Sequence, residues 1–234
     1  MTLRHELKYQ ISNLEHQVLR KKLKAILKPD PHMKPKNSYN VRTLYFDDVN
    51  NSAFYEKQAG IYQRKKYRLR IYNHNDTVIK FERKSKISSH ILKEIALLKR
   101  WEADRIVSED YNFLAHTDNR LLKEFYVETR CKLMHPVVIV EYDREAYVEP
   151  IGNVRITFDS NLRTGFDLKS FFDEYTPMIS SLDQTNTILE IKYNEVLPEY
   201  IRGLFPDTIR PRLAIGKFVI CRNQQVQQRG MVRS

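Results

Sequence analysis

The sequence predicts an α+β fold: an antiparallel β tunnel or barrel, closed or nearly closed, with a charged lumen and helices flanking its outer side. Three observations predict it. Lys65 to Tyr72 alternates as a strand does, with Lys66, Arg68, Arg70 and Tyr72 on one face and Tyr67, Leu69 and Ile71 on the other. The same split into a charged and an apolar face recurs on strands far apart in the chain. Between those strands lie helices with apolar stripes, which need a hydrophobic surface to cover. One such hairpin would read equally well as solvated surface. Repeated many times, the pattern favours charged faces turned inward and apolar faces turned outward beneath the helices.

Taken in order, Leu3 to Ile11 reads as a strand, with Arg4, Glu6 and Lys8 opposite Leu3, His5, Leu7 and Tyr9. Ser12 followed by Glu15 is a capping-box signal. The helix it opens is expected to reach Lys28 on a stripe of Leu14, Val18, Leu19, Leu23, Ile26 and Leu27, where Pro29 and Pro31 stop it. Ser38 to Asp47 follows as a strand, then a short helix from Asn51 to Gln58 closed by Gly60. The central strand is paired with Val78 to Lys86, which sets Lys80, Glu82, Lys84 and Lys86 against Ile79 and Phe81, with Arg83 interrupting the apolar row. A third strand, Ser88 to Leu98, carries Lys93.

Trp101 to Ile106 and Leu121 to Cys131 read as helices, joined by a polar stretch with no clear pattern. Val137 to Val148 is a strongly apolar strand that places Tyr142 and Arg144 on one face. Asn153 to Asp159 sets Arg155 and Thr157 against Val154, Ile156 and Phe158. In Thr187 to Asn194, Glu190 and Lys192 oppose Leu189, Ile191 and Tyr193. Pro198 to Leu204 and Gly216 to Gln224 are expected helices. One domain is expected over residues 1–224, with residues 225–234 a disordered tail that has nothing to bury.

A chain of 234 residues can bury a substantial core. Fourteen Tyr and eleven Phe against six Gly suit β structure. Lys and Arg outnumber Asp and Glu by 40 to 29, a net charge of +11 that points to an anionic partner. Two cysteines, Cys131 and Cys221, are too few for a disulfide framework, and no apolar run approaches the ~20 residues that span a bilayer. A soluble, cytoplasmic protein is expected.

A lumen lined by Lys8, Arg68, Arg70, Lys84, Arg144 and Arg155 would hold far more cations than Glu6, Glu82 and Glu190 compensate. Such crowding is costly without a bound anion. Polyphosphate meets the need, because Arg grips phosphate with a fork of donors and Lys binds it as a point charge. Glu190, fixed on its face by Leu189 and Ile191, reads either as a ligand of a hard divalent ion or as the ion-pair partner of Lys192.

Glu6-Leu7-Lys8-Tyr9, Arg42 to Asp47 (RTLYFD), Arg68-Leu69-Arg70, Phe81-Glu82-Arg83-Lys84, Tyr142-Asp143-Arg144 and Leu189-Glu190-Ile191-Lys192 stand in an order that resembles the triphosphate tunnel metalloenzymes. Within that superfamily the chain is similar, from about Leu3 to Arg222, to the VTC-type domain, the polyphosphate polymerase module of the vacuolar transporter chaperone complex and its bacterial relatives. The resemblance implies an eight-stranded antiparallel tunnel and transfer of the ATP γ-phosphoryl group to a growing polyphosphate chain. It implies Lys8, Arg68, Arg70, Lys84, Arg144 and Arg155 as the catalytic phosphate-gripping set. Lys57, Lys93, Tyr142 and Lys217 are implied as further phosphate-binding residues, and Glu190 as the ligand of a divalent metal, Mn²⁺ or Mg²⁺.

The chain departs from the pattern in two places. Arg4 stands where the broader superfamily begins Glu-x-Glu-x-Lys, a loss shared by VTC-type members. Gly216-Lys217 replaces the frequent Ser-Lys, and a lysine expected just before it is absent, with Ala214 and Ile215 there and Arg212 nearby. Triphosphate hydrolysis and non-catalytic sensing of polyphosphate or inositol phosphates are the competing readings. ATP and polyphosphate are the expected partners, with a separate membrane-protein partner and the oligomeric state left open. Nucleic acid is not expected, since Tyr67 and Phe81 alternate away from the basic face.

Overall fold

The computed structural model describes residues 4–33, 37–87, 90–181, 185–205 and 216–231. Its strands are β1 (Arg4–Ser12), β2 (Lys28–Pro29), β3 (Tyr39–Asp47), β4 (Arg64–Tyr72) and β5 (Asn75–Ile87), then β6 (His90–Leu98), β7 (His135–Glu149), β8 (Val154–Gly165), β9 (Met178–Ser180) and β10 (Asn186–Asn194). The helices are α1 (Asn13–Ile26), α2 (Ser52–Gln58), α3 (Arg100–Val107), α4 (Arg120–Cys131), α5 (Glu199–Arg202) and α6 (Lys217–Met231). Eight strands follow one path, β1-β10-β8-β7-β3-β4-β5-β6, while β2 pairs with β7 and β9 with β8. The β1–β10, β10–β8, β3–β4, β4–β5 and β5–β6 ladders are antiparallel. The α+β class and the eight-stranded path agree with the sequence. Among the described residues the path ends at β1 and β6 rather than closing.

The chain divides into two compact units. The first comprises Met1–Asn40, Tyr142–Leu162 and Leu182–Ala214. Its core gathers Ile11, Leu19, Leu23 and Leu27 with Tyr147, Ile156, Phe158, Leu189 and Ile191. These are the apolar parities of β8 and β10, covered by α1. The capping box forms as expected: the Ser12 hydroxyl accepts from Glu15 N at 3.3 Å, and the Glu15 carboxylate accepts from Ser12 N at 2.7 Å. The helix stops at Ile26, before the expected Lys28, because a residue preceding proline is driven to extended backbone; Lys28 and Pro29 instead pair with β7. Only part of the expected stripe is buried. Leu19, Leu23 and Leu27 face the core, whereas Leu14, Val18 and Ile26 are exposed.

The second unit comprises Val41–Glu141, Arg163–Ser181 and Ile215–Ser234. Its core packs Leu44, Phe46, Tyr67, Leu69, Ile71 and Phe81 beneath Ile106, Leu122 and Phe125 of α3 and α4. The four rings of Phe46, Tyr67, Phe81 and Phe125 meet with centroids 4.7–6.1 Å apart in tilted, edge-on and stacked contacts. Arg83, which interrupts the apolar row of β5, is held there by Glu94 at 2.6 Å and by Glu124. The start of α2 is fixed by Asp47, whose carboxylate accepts from the backbone N–H groups of Asp48, Ala53 and Phe54. α6 continues to Met231, so residues 225–231 are helical and the expected tail is corrected over that span; Gln225 is buried and accepts from Arg222 at 2.8 Å. No described helix is long and apolar enough to cross a membrane.

Candidate anion-binding site

The residues singled out in the sequence fall into two charged clusters, one in each unit. In the second unit the cluster grows from β4, flanked by β3 and β5. Register sets Arg68 opposite Tyr45 on one side and Glu82 on the other, and Arg70 opposite Thr43. Arg68 Nε donates to Glu82 Oε2 at 2.6 Å, and Arg68 also donates to the Tyr45 hydroxyl at 3.4 Å. Arg70 Nε donates to Thr43 Oγ1 at 3.1 Å, with a second nitrogen 3.8 Å from Glu82. Lys93 Nζ lies 2.6 Å from the other Glu82 oxygen. One fully buried carboxylate therefore serves three cations.

The electrostatics follow from that imbalance. Burial alone would raise the Glu82 carboxyl, but Arg68, Arg70 and Lys93 outweigh it and hold the group at about 2. Burial lowers Lys93, only partly offset by Glu82. Burial would raise the Tyr45 hydroxyl, yet Arg68, Arg70 and Lys217 bring it below the ordinary phenol value. Lys84 pairs in register with Lys66 across β4–β5 and with Lys93 across β5–β6. Lys57 on α2 and Lys217 at the start of α6 complete the cationic surroundings of this face.

In the first unit, β1 and β10 pair Lys8 with Glu190 and Glu6 with Lys192. The Lys8 ammonium contacts Glu6 and lies 3.3 Å from Glu190, while Lys192 contacts the other Glu190 oxygen. Burial alone would lower Lys8, but Glu190 and Glu6 dominate and raise it. Arg144 makes a two-pronged bond to buried Asp159, at 2.6 and 2.7 Å, with its guanidinium 5.2 Å from the Tyr142 ring centroid. Arg155 donates to Tyr39 at 3.1 Å and lies 2.7 Å from Asp30, which also accepts from His32 N.

The structure thus brings Arg68, Arg70, Lys84 and Lys93 together on one sheet face, with Lys57 and Lys217 on α2 and α6 in the same unit. It brings Lys8, Tyr142, Arg144, Arg155 and Glu190 into the other unit. Sequence reasoning missed Thr43, Tyr45, Tyr39, Asp30 and Asp159 as partners of the arginines. Thr43 and Tyr45 were legible from parity on β3, but Asp30 and Asp159 were not, because their role depends on which strand becomes a neighbour. The stretch around Arg212, Ala214 and Ile215 lies outside the described residues.

Among the described residues no group of three or more His, Cys, Asp and Glu side chains is placed to hold a metal. Glu6 and Glu190 nonetheless share one cation, the Lys8 ammonium. Two carboxylates with phosphate oxygens and water are the kind of donor set that suits Mg²⁺. The residues fit such an ion.

A sequence model of the VTC domain matches residues 3–224. No curated protein sequence matches the chain. Among solved structures, a Hippeastrum protein described as a candidate adenylyl cyclase with a dominant triphosphatase activity aligns with a TM-score of 0.58 and 15% identity, over 96% of each chain. The PH1819 protein of Pyrococcus horikoshii aligns with a TM-score of 0.48 and 12% identity, over 94% of this chain and 99% of that one. A candidate adenylate cyclase of Bacillus halodurans gives 0.48 and 12%, over 88% and 86%. At such identities the Hippeastrum likeness is one of fold.

Proposed function

We propose, from the premise that this chain belongs to the VTC domain family, that it is a metal-dependent polyphosphate polymerase, moving the γ-phosphoryl group of ATP onto the end of a polyphosphate chain. The observation that carries the reading is the sharing of Glu82 by Arg68, Arg70 and Lys93. A single carboxylate orients three cations without neutralising them. Preorganised positive charge of this kind stabilises charge on a transferring phosphoryl group, which asks for positioning more than for covalent chemistry by the protein.

Among the described residues, the carboxylates of the two clusters favour an acceptor that is already ionised. Glu82, Asp159, Asp30 and Glu190 are each ion-paired, and Glu82 is held at about 2, far too weak a base to take a proton from water near neutrality. The terminal phosphate of a polyphosphate chain is already ionised and needs no base. Glu190, with Glu6 beside it, would hold the divalent ion, which when bound would supply charge neutralisation. Arg68 and Arg70, two residues apart on one face, grip the triphosphate.

The test is a product analysis after incubating the protein with ATP and Mn²⁺. Polymer and ADP are expected, and Arg68→Ala is expected to lower polymer formation at least ~10-fold, about 1.4 kcal/mol of transition-state stabilisation. ADP with orthophosphate alone would establish a triphosphate hydrolase instead. Tight binding without turnover would establish a sensor.

A further inference from the structure

Lys66 belongs to the charged face of β4 but has a different setting from Arg68 and Arg70. Those arginines share Glu82, whereas no ion pair to Lys66 exists among the described residues. Its Nζ lies 4.3 Å from the ring centroid of Phe218, in the first turn of α6 and next to Lys217. That turn is the positive end of the helix dipole, which disfavours a cation. The charged groups that act most strongly on Lys66 are Lys57 of α2, Arg64 of β4, Asp47 of β3 and Lys84 of β5. Asp47 is the sole carboxylate of that set, and three backbone N–H groups already occupy it.

We propose that Lys66 is a further anion-binding residue of this site, and that an anionic phosphoryl group enters beside it together with one proton. Part of the case is the cost of leaving this ammonium charged when the site is empty. Burial is the main contribution, and Lys57, Arg64 and Lys84 add to it, so the group is pushed down to about 7. An anion placed among these cations reverses the balance, because an opposite charge within a few ångströms favours the charged form. The sign is then fixed. The empty site holds Lys66 largely neutral above pH ~7, the filled site holds it charged, and binding takes up a proton between about pH 7 and 10. Anion affinity must fall as pH rises through that window. The inference rests on the anion-site reading above and adds a residue and a proton linkage to it.

Calorimetric titration with tripolyphosphate at pH 8, run in two buffers of different ionisation enthalpy, counts the protons taken up. Wild type, Lys66→Met and Lys66→Arg are compared. Titration of the ligand itself is common to all three and cancels in the difference. Wild type is expected to take up at least about half a proton more than either variant. Lys66→Arg, charged at every accessible pH, is expected to keep binding while losing the extra proton, which separates linkage from simple loss of charge or of fold. Equal proton uptake by wild type and a binding-competent Lys66→Arg would overturn the assignment while leaving the anion site standing. Absence of tripolyphosphate binding by the wild type would remove the anion-site reading and this inference with it.

Discussion

Glu82 shows how much one side chain can carry. It sits fully buried among Arg68, Arg70 and Lys93, and its carboxyl is held at about 2 against an ordinary 4.5. A group whose folded value is depressed contributes stability that is present above its unfolded value and lost as pH falls through the folded one. The window here runs from about pH 4.5 down to 2, and the contribution is on the order of 3 kcal/mol. Glu82→Gln removes the carboxylate that three cations share and is expected to cost about 3–5 kcal/mol at pH 7. Its urea midpoint should then change less between pH 7 and pH 3 than that of wild type. An equal acid loss in both proteins would place the acid lability elsewhere.

At this scale the alternation of residues told which side chains share a face, and it did so for Arg68, Arg70, Glu82 and Lys84. It could not tell who pairs with whom. Arg144 meets Asp159 fifteen positions later, and Arg155 meets Asp30 far earlier, because β7 and β8 and the β2 region become neighbours only in the fold. Of the two sequence readings of Glu190, the ion pair is the one the geometry displays, with Lys192 as expected and with Lys8 besides.

Elements were legible where apolar periodicity built them and misread where polar groups did. α6 overran its expected end because Gln225 is buried through a hydrogen bond to Arg222, a pattern that hydrophobic spacing does not report. The Met178–Ser180 strand was missed for a similar reason, being short and held by its ladder with β8. The start of α6 carries a sharper consequence. The Gly216 carbonyl accepts from Val219 N at 2.8 Å and from Ile220 N at 3.2 Å, which makes Gly216 the residue that opens the helix. A Cβ added there meets nothing within 4 Å. Gly216→Ser therefore fits and supplies a cap hydroxyl, worth a few tenths of a kcal/mol over glycine and about 1 °C in melting temperature. Placed beside Lys217, that hydroxyl is also expected to tighten tripolyphosphate binding by about 3-fold, one modest hydrogen bond. A more stable variant with unchanged affinity would show that the helix start lies outside the anion site.

For the molecule as a whole, the net charge of +11 reflects an excess of cations that is concentrated in part around β4 and β5. Cations held close together repel in the empty protein, so a polyanion that binds only the folded state should stabilise it more than any single contact. At a free ligand concentration 100 times its dissociation constant the gain is about 2.7 kcal/mol. For a chain of this length that corresponds to a rise of roughly 5–10 °C in melting temperature. Added salt weakens the attraction of exposed charges within a Debye length, about 8 Å at physiological ionic strength and about 3 Å at 1 M. The tripolyphosphate-induced shift should therefore be large in dilute buffer and much smaller in 1 M sodium chloride, with sulfate at equal ionic strength giving less than tripolyphosphate. Scanning calorimetry across these conditions separates a built site from a diffuse field. A diffuse field would give shifts that depend on ionic strength alone. An unchanged melting temperature at saturating tripolyphosphate in dilute buffer would mean that Arg68, Arg70 and Lys93 are satisfied by Glu82, and that the crowding of charge on this sheet face serves the fold rather than a ligand.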